Sequence, residues 1–503
     1  MSFLHHYMET CCFEERDFAA IAYLASLDHL NQEHSELVEA IVKELEDQRR
    51  YMKLIASENY SSLAVQLAMG NLFTDKYSEG VPFHRFYAGC DNVDTIESLA
   101  VEEAKQLFQV DHAYVQPHSG ADANLVAFWS VLVQRIQDKE VKALGEKSID
   151  ALSFEEYEKI RQLMLKQKIM GMSLDVGGHL THGYRHNVSA KMMQAVSYGV
   201  DPKTEQIDYD ALARQVQRER PLIFLVGYSA YPRLINFAWL REIADSVNAV
   251  LLVDMAHFAG LVAGKALTDE YNPVPYAQII TSTTHKTLRG PRGGFILCTE
   301  EFKGNIDKGC PLVLGGPLPH VMAAKLVGFK EANRVEFQTY AKQVLLNAKA
   351  LAERLLVRGV KLFTGGTDNH LVVCDVMSSF HLTGRQAEIV LHKALMTVNR
   401  NMIPNDRQGS WYTSGIRIGT PALTTRGLKE EEMRCIADLI VDLLQASRAK
   451  SVGCTEGLSK AQIDIDVDIL ERVRRQVEDI LVDFPLYPEL PQLNGISTLF
   501  IKE

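Results

Sequence analysis

A lysine stands close behind one of the apolar runs of this sequence. Residues 278–281 have the composition of a strand, and the chain continues through Thr283 to His285 and Lys286. A lysine at the end of a strand, among hydroxyl groups, is placed over the carboxyl edge of a sheet. Partial burial there lowers the pKa of the amine and makes it an effective Schiff-base nucleophile. Taken alone, the segment is equally typical of a surface lysine in a loop.

Asp254 ends a second apolar run, residues 251–254, and His257 follows it three residues later. A carboxylate at that point can pair with a pyridinium nitrogen and keep it protonated, which makes the ring an electron sink. An isolated acid at a strand end more often bonds to the next loop. However, Asp254 and Lys286 close successive apolar strands about one strand–helix–strand unit apart. In an open α/β sheet both side chains would reach the crevice where ligands bind.

Small residues at the start of a helix supply a candidate phosphate site. Ser119, Gly120 and Ala121 follow a short strand and lead into the helical run 125–136. Free N–H groups at a helix start attract an anion, because the terminal amides and the macrodipole point at it. Ser119 can add its hydroxyl, although simple helix capping by Ser119 explains the pattern equally well.

Other cofactor sites have less support in the sequence. No G-x-G-x-x-G follows a strand and no G-x-x-x-x-G-K-[ST] occurs, so a dinucleotide site and a P-loop are not predicted. His179, His182 and His186 suggest a metal, but no H-E-x-x-H motif or carboxylate at ligand spacing accompanies them. We therefore interpret them as loop histidines, one of them stacked on a ring, and expect no metal.

Bulk composition narrows the class of protein. The chain has 503 residues, of which 47% are hydrophobic and 23% charged, as in soluble globular proteins of two or three domains. A net charge of -11 argues against nucleic acid or an anionic membrane as partner. The eight cysteines form no C-x-x-C pair, which favours free thiols in a reducing compartment. Without a signal peptide or a long apolar stretch, a cytoplasmic protein is predicted.

The pattern of apolar runs divides the chain into three parts. Residues 1–50 are predicted to form an N-terminal helical arm that packs on a neighbour or partner subunit. In residues 51–335, strands alternate with helices, which indicates a large α/β domain whose mostly parallel sheet is covered on both faces. Residues 336–503 are predicted to form a smaller α+β domain. The charged helical insertion 138–168, with a capping box at Ser153-x-x-Glu156, is interpreted as a solvated excursion.

Apolar runs predict the strands of these domains, and an apolar stripe predicts their last helix. The last helix has an apolar stripe at Leu470, Val473, Val477 and Ile480. The strands are predicted at residues 113–115, 222–226, 250–253, 278–281, 295–298, 371–376 and 417–418.

Segments spread over residues 50–445 together resemble the serine hydroxymethyltransferase family. They occur in the same order as in that family and are interrupted only by the insertion 138–168. The matching stretches are Ile55-Ala-Ser57-Glu-Asn-Tyr60, Lys76-Tyr77-Ser-Glu79-Gly80, Gln116-Pro-His-Ser119-Gly120, Gly177-Gly-His179-Leu-Thr-His182-Gly183, Val253-Asp254-Met-Ala-His257, Thr284-His285-Lys286-Thr287-Leu-Arg-Gly-Pro-Arg292-Gly-Gly294, Gly315-Gly-Pro-Leu318, Gly366-Thr-Asp-Asn-His370 and Thr413-Ser-Gly-Ile-Arg417-Ile-Gly-Thr420.

The resemblance implies a fold, a reaction and an assembly. The fold is that of the type-I pyridoxal-phosphate transferases, with a large domain built on a mainly parallel seven-stranded sheet and a smaller C-terminal α+β domain. The reaction is the reversible conversion of L-serine and tetrahydrofolate to glycine and 5,10-methylenetetrahydrofolate. The assembly is a homodimer, or a dimer of dimers, with shared active sites.

The resemblance also assigns roles around the cofactor, residue by residue. Lys286 resembles the Schiff-base lysine, Asp254 the partner of the pyridinium nitrogen and His179 the residue stacked over the ring. Thr283 and His285 flank the lysine and are counted with the catalytic group. The remaining cofactor positions, including a turn contributed by the partner subunit, are Ser119, Gly120, Ala121, Ser229, His257, Gly315 and Gly316.

Substrate and folate positions follow in the same way. Arg417 resembles the clamp for the substrate carboxylate, assisted by Ser57, and a planar guanidinium suits that role. Glu79 resembles the acid–base residue at the hydroxymethyl group, on a segment that in the family crosses the dimer interface with Tyr77. The other positions, near the substrate and the pterin, are Tyr87, Leu174, Gly178, Leu180 and Asn401.

The sequence departs from the family in places, and alternatives stay open. The family usually has two tyrosines where this chain has Phe86-Tyr87, which affects folate affinity. A folate-independent pyridoxal-phosphate aldolase or racemase would share Lys286, Asp254 and Arg417, and a non-catalytic dimeric scaffold is the alternative from another class. Slow alanine racemisation and slow cleavage of threonine-like β-hydroxy amino acids are expected as side activities.

Overall fold

The computed structural model describes residues 2–451 and 458–493. Cys454 lies outside these ranges, and the seven described cysteines are all free thiols. Within these ranges, no helix combines the length and apolarity needed to cross a bilayer.

The helices are α1 (Phe3–Thr10), α2 (Phe18–Asn31), α3 (Ser35–Arg50), α4 (Leu63–Leu67), α5 (Asp91–Phe108), α6 (Gly120–Leu132), α7 (Asp138–Ala143), α8 (Phe154–Leu165), α9 (Ser189–Met192), α10 (Tyr209–Glu219), α11 (Phe237–Asp245), α12 (Ala259–Ala263), α13 (Glu300–Ile306), α14 (Gly309–Leu312), α15 (Pro319–Ala332), α16 (Val335–Val357), α17 (Val376–Phe380), α18 (Gly384–Lys393), α19 (Gly409–Tyr412), α20 (Pro421–Thr425), α21 (Glu430–Gln445) and α22 (Val467–Asp483).

The strands are β1 (Met52–Lys53), β2 (Gly80–Val81), β3 (His84–Arg85), β4 (His112–Tyr114), β5 (Lys168–Met172), β6 (Gln194–Tyr198), β7 (Ile223–Gly227), β8 (Val250–Asp254), β9 (Ile279–Thr283), β10 (Gly294–Cys298), β11 (Leu371–Asp375), β12 (Met396–Thr397), β13 (Asn399–Asn401), β14 (Gly415–Gly419), β15 (Ser447–Ser451) and β16 (Leu458–Ile465).

A seven-stranded sheet organises the large domain. Its strand order is β4-β10-β9-β8-β7-β5-β6. Strands β6, β5, β7, β8 and β9 pair in parallel, and β10 runs antiparallel to both its neighbours. Every residue of β7, β8 and β9 is buried, as expected for strands that helices cover on both faces. The predicted mainly parallel sheet is confirmed, and the predicted strands lie within two residues of those observed.

Two strands of this sheet were not predicted. β5 (Lys168–Met172) begins at the last residue of the predicted insertion, so the excursion ends earlier than predicted. β6 (Gln194–Tyr198) is an edge strand with only Tyr198 buried. An edge strand needs no apolar run, because one side of it has no neighbouring strand and its faces are less covered.

The insertion has the predicted helical character. Helix α8 begins with the capping box between Ser153 and Glu156, in which each side chain bonds to the other residue's backbone N–H. Within α8 only Ile160 is buried, and Tyr157 is 44% exposed. The insertion therefore has a small apolar anchor beneath an exposed charged surface.

The small domain follows the long helix α16. Its three-stranded antiparallel sheet has the order β11-β14-β13 and packs with α18, α21 and α22. Val473 and Val477 of the predicted last helix lie in this core. The core also contains Met52 and Leu54, because β1 pairs with β12 in parallel. These residues were assigned to the large domain from sequence, and in the structure they pack with the small one.

The N-terminal arm buries its apolar face within its own chain. Helices α1, α2 and α3 pack on one another and on Leu63, Leu490 and Leu493. The Asp28 carboxylate accepts hydrogen bonds from the N–H groups of Phe3 and Leu4 at the start of α1. Contact of this arm with a partner subunit stays a prediction.

Strand register brings the carboxyl ends of three neighbouring strands together. Gly227 of β7 lies beside Asp254 of β8, and Asp254 lies beside Thr281 of β9. Gly227 has φ 135°, and a Cβ there would lie 2.1 Å from the Asp254 carbonyl oxygen. Glycine is required at this point because the backbone of β8 leaves no room for a side chain.

Candidate active site

A cavity of about 240 Å³ opens at the carboxyl ends of β7, β8 and β9. This is the crevice where open α/β sheets bind ligands. Ten residues predicted from sequence line it, together with Tyr228, Ala256 and Arg292, which were not predicted. The ten are Ser119, Gly120, Ala121, His179, Ser229, Asp254, His257, Thr283, His285 and Lys286.

The carboxylate of Asp254 is buried and surrounded by donors. One oxygen accepts a hydrogen bond from Asn124 Nδ2 at 2.9 Å and lies 3.1 Å from His182 Nε2. The other accepts from the backbone N–H of Ala256 at 3.1 Å. Burial by itself raises the pKa of Asp254, but the hydrogen bond and charge of His182, with His179 and Asn124, outweigh it and leave the pKa well below its usual range. Asp254 is therefore a fixed negative charge at neutral pH.

Asn124 is held in place by two threonines. Its Oδ1 accepts from the Thr281 hydroxyl at 2.5 Å, and its Nδ2 donates to the Thr181 hydroxyl at 2.8 Å. Sequence analysis missed Asn124 because its partners are far away along the chain. The only signal was its place one turn into the helix that begins at Gly120.

His182 requires a correction to the sequence analysis. A carboxylate partner was judged absent, yet ligand atoms of His179, His182 and Asp254 all lie within 4.8 Å of one another. The fold supplies the carboxylate 72 residues away. Since His182, Asn124 and the Ala256 N–H direct donors at this carboxylate, hydrogen bonding accounts for the grouping, and the expectation of no metal stays a prediction.

Lys286 is partly buried at the cavity, and burial and neighbouring charges shift the pKa of its amine. Burial lowers the pKa of Lys286 to about 8, with the charge of Asp254 opposing that shift and those of Arg417 and Arg292 adding to it. The backbone carbonyl of Lys286 accepts from Asn59 Nδ2 at 3.0 Å. A pKa near neutrality leaves part of the amine unprotonated, the form that attacks a carbonyl carbon.

The histidines around the cavity are held neutral. Burial lowers the pKa of His179 to about 4 and that of His285 to about 3. Burial also lowers the pKa of His257 and brings that of His370 to about 3. His257 Nδ1 lies 3.2 Å from His370 Nε2, with the two rings stacked. His370 belongs to a stretch that matched the family, but sequence analysis gave it no role.

The candidate phosphate turn combines a helix cap with a position at the cavity. Ser119 caps helix α6, since its Oγ accepts from the Asp122 N–H at 3.1 Å. The same residue and its two small neighbours line the cavity at the helix start. A Cβ on Gly120 would lie 2.7 Å from Thr283 Cγ2, so a glycine lets the turn approach β9. Capping and an anion site are therefore compatible here.

Arg417 is a buried cation without a carboxylate partner among the described residues. It is 9% exposed on β14, where Nε donates to Asn399 Oδ1 at 3.1 Å and Nη1 donates to the backbone carbonyl of Ser229. Burial lowers the pKa of Arg417 to about 10, so it stays charged at neutral pH. A buried guanidinium costs free energy unless an anion neutralises it, which makes Arg417 a candidate binding point for a carboxylate.

The neighbours of Ser57 in the sequence contact the strand that carries Arg417. The N–H of Gly419 donates to the carbonyl of Leu54 at 2.8 Å, and a Cβ on Gly419 would lie 2.3 Å from the Cα of Ala56. The segment that carries Ser57 therefore runs closely along β14.

Four predicted residues form a separate group outside the cavity, here called the Tyr77 cluster: Tyr77, Glu79, Tyr87 and Gly316. The Tyr87 hydroxyl donates to Glu79 Oε2 at 2.6 Å, and the rings of Tyr77 and Tyr87 lie edge to face at 5.5 Å. A Cβ on Gly316 would lie 3.0 Å from the Tyr77 ring. Tyr77 is 60% exposed and Tyr87 45%. The cluster is preformed and open to solvent.

A buried network that sequence analysis missed holds this cluster. Arg85 donates to the carbonyls of Ser78 and Gly80, which flank Glu79, at 2.9 and 2.8 Å. Its other nitrogens pair with Asp94 at 2.7 Å and Glu97 at 2.5 Å. No sequence motif indicated this network, because each ion pair of Arg85 forms only when a turn and a helix pack together.

The predicted folate positions lie near the cavity without lining it. Leu174, Gly178 and Leu180 share the loop of His179 after β5, and a Cβ on Gly178 would lie 2.0 Å from the Met172 carbonyl oxygen. Asn401 ends β13, the strand beside Arg417.

Comparisons with known proteins agree with the motifs. The family described as serine hydroxymethyltransferase matches residues 30–144 and 150–440, and the break falls inside the charged insertion. A serine hydroxymethyltransferase of Treponema pallidum is 55% identical over 98% of this chain and 85% of that protein. Those of Cutibacterium acnes and Salinispora tropica are 52% and 54% identical over 94% and 93% of this chain, and 97% and 98% of the relatives. The chain belongs to the serine hydroxymethyltransferase family.

Proposed function

We propose that this chain is a pyridoxal-phosphate enzyme that interconverts L-serine plus tetrahydrofolate with glycine plus 5,10-methylenetetrahydrofolate. The family uses this cofactor and this co-substrate. The observation that carries the proposal is Arg417, a buried guanidinium with no carboxylate partner among the described residues, beside a cavity that holds Lys286 and Asp254. An amino acid offers the carboxylate that this guanidinium needs.

The residues of the cavity fit pyridoxal phosphate. Asp254 is a buried acceptor that suits a protonated ring nitrogen, and Lys286 is an amine with a lowered pKa. The helix start at Ser119 and Gly120 suits a phosphate group. The neutral His179 side chain lines the same cavity and offers a flat ring.

When bound, pyridoxal phosphate supplies a conjugated ring that accepts the electron pair left at the substrate Cα as a bond breaks. Asp254 holds the proton on the ring nitrogen, which maintains the ring's electron demand. Lys286 presents a partly neutral amine near neutral pH, as nucleophilic attack on a carbonyl carbon requires.

Arg417 orients the substrate. Its Nη1 and Nε are fixed by the Ser229 carbonyl and Asn399, so a bound carboxylate meets a guanidinium with a fixed plane. Together with Ser57 this contact would fix the orientation of the bonds at the substrate Cα, a positioning effect. Water is displaced from a buried cation at the same time, which strengthens the contact.

Glu79 is proposed to take the proton of the serine hydroxyl as the Cα–Cβ bond breaks, and to act from a partner subunit. The Tyr77 cluster does not line the cavity of its own chain, yet it is fully formed. Exposed apolar side chains lie close to it in the sequence, with Leu72 85%, Phe83 77% and Phe86 70% exposed. A patch of this kind is typical of a protein interface. A homodimer would cover it and complete two cavities.

The binding of folate and the location of the protein in the cell are also part of the proposed function. Leu174, Gly178, Leu180 and Asn401 are proposed to hold the pterin at the mouth of the cavity, with Phe86 leaving this side less polar than two tyrosines would. A cytoplasmic location is proposed, supported by the free thiols of all described cysteines.

The first prediction concerns the reaction itself. With purified, cofactor-loaded protein we expect glycine formation from L-serine to rise about 100-fold or more on addition of tetrahydrofolate, because the acceptor is held beside the released carbon. Glycine production is measured with and without the folate at equal protein concentration. Equal rates in the two samples would contradict the proposal and favour a folate-independent aldolase.

The second prediction concerns Arg417. Arg417→Ala should weaken glycine binding by about 2–5 kcal/mol, because it removes the partner of a buried carboxylate. Titrations of the loaded enzyme with glycine, and of the apoenzyme with pyridoxal phosphate, separate substrate from cofactor affinity. Arg400→Ala is the matched control, since Arg400 lies on the adjacent strand and pairs with Glu388. A similar loss of cofactor affinity in Arg417→Ala would show that Arg417 is structural.

The third prediction tests the shared site. Lys286→Ala and Glu79→Gln homodimers should both be nearly inactive, whereas differently tagged subunits of the two variants, expressed together, should regain about a quarter of wild-type activity. Activity returns only if Glu79 of one subunit acts at the cavity that contains Lys286 of the other subunit. Only then does each mixed dimer have one intact cavity.

The matched control combines Lys286→Ala with Arg417→Ala. Both of these side chains belong to the cavity of one subunit, so each cavity of a mixed dimer keeps one defect and no activity should return. If the Glu79 mixture behaves like this control, Glu79 acts within its own subunit and the shared site is wrong.

A further inference from the structure

Lys325 is a fully buried lysine that the proposed reaction does not use. It lies on α15 with 2% exposure, and its Nζ donates to the backbone carbonyls of Val115, Pro117 and Gly294 at 2.6, 2.9 and 2.8 Å. A neutral amine has only two N–H donors, whereas an ammonium has three. The arrangement of three acceptors therefore suits the charged form.

The charge of Lys325 has no carboxylate partner within the described residues. Burial lowers the pKa of Lys325 to about 7, and the more distant charges of Glu97 and Asp122 oppose that shift. Burying a cation without an ion pair costs free energy, and an aliphatic side chain would fill the same space at lower cost. A compensating interaction in this part of the fold is therefore expected.

The three carbonyls belong to the frame of the phosphate turn. Val115 and Pro117 lie on the segment between β4 and Ser119, while Gly294 begins the neighbouring strand β10. The N–H of Gly294 also donates to the Pro117 carbonyl at 2.9 Å. Lys325 thus joins the two backbone segments immediately behind the residues that start helix α6.

The surrounding backbone is shaped to admit this lysine. A Cβ on Gly293 would lie 2.5 Å from Lys325 Cε, and a Cβ on Gly294 would lie 2.2 Å from the Ser119 carbonyl oxygen. Two successive glycines therefore allow the lysine on one side and the phosphate turn on the other to press against the start of β10. A substitution of Lys325 is therefore expected to shift the backbone at Ser119.

We propose that Lys325 is a positioning residue for the phosphate group of the cofactor, an inference that rests on the proposed function. Its three hydrogen bonds fix the course of the backbone into Ser119 and Gly120, so that the N–H groups of the helix start face the anion. Its charge stands behind the same turn and favours a dianion there. All three of its donors are used by carbonyls, so Lys325 acts through the turn and does not itself bind the phosphate.

The test compares two ligands that differ only in the phosphate. The apoenzyme is titrated with pyridoxal phosphate and with pyridoxal, for wild type, Lys325→Met and Lys330→Met. Lys330 lies on the same helix and is exposed, which makes it the matched control. We expect Lys325→Met to raise the Kd for pyridoxal phosphate about tenfold or more and to change the Kd for pyridoxal less than about twofold, with Lys330→Met like wild type.

Other results would overturn the proposal. An unchanged Kd for pyridoxal phosphate in Lys325→Met would remove Lys325 from this role, and an equal loss for both ligands would assign it to general packing. Lys325→Gln, which keeps two donors without the charge, should give an intermediate Kd and serves if the methionine variant does not fold. Unfolding of both variants would also contradict the proposal, by assigning Lys325 to the stability of the domain.

The titration separates this inference from the proposed reaction. It uses neither serine nor folate, so a wild-type protein that binds pyridoxal phosphate but lacks folate-dependent turnover would leave the role of Lys325 testable. A wild-type protein that does not bind pyridoxal phosphate would instead contradict the proposed function.

Discussion

The buried carboxylate of Asp254 is the interaction on which the rest of the site depends. A charge placed where water is largely excluded is stable only if donors surround it, and here His182, Asn124 and the Ala256 N–H do so. The same charge opposes the loss of a proton from Lys286, whose pKa burial and two arginines lower. One ionised group thus explains the arrangement of His182, Asn124 and the Ala256 N–H around it, whereas burial keeps His179 and His285 neutral.

This arrangement depends on both domains. The parallel sheet of the large domain brings the ends of β7, β8 and β9 together and so places Asp254 and the segment leading to Lys286. The small domain contributes Arg417, whose Nη1 reaches back to the Ser229 carbonyl. A ligand that bridges Arg417 and the cavity would therefore link the two domains. The exposed Tyr77 cluster does not line the cavity of its own chain, so its proposed role requires a partner subunit.

The sequence predicted the parts of the fold that depend on local patterns. Apolar runs marked the buried strands of the large sheet, because strands covered on both faces need side chains of that kind. The edge strand β6 carries no such run and was missed. Asp254 was found because it ends a buried strand, and Lys286 because it closely follows another. Asn124, His370 and the Arg85 network were missed, since their partners come from distant segments that only the folded chain brings together.

The carboxylate beside His182 was missed for the same physical reason. Ligand spacing was searched for along the chain, whereas the carboxylate beside His182 comes from a strand 72 residues further on. The pairing of β1 with β12 was missed in a similar way, because it joins segments far apart in sequence. Spacing rules identify sites built from one helix or loop, and they miss sites built across a sheet.

The most direct test of the central claim is the protonation state of the cofactor's ring nitrogen. Protein loaded with pyridoxal phosphate labelled with nitrogen-15 can be studied by NMR across about pH 6 to about pH 9. An ionised Asp254 held by His182 and Asn124 predicts a protonated ring nitrogen throughout this range, because the carboxylate stabilises the positive charge. The chemical shift of an unprotonated pyridine nitrogen at neutral pH would contradict the account.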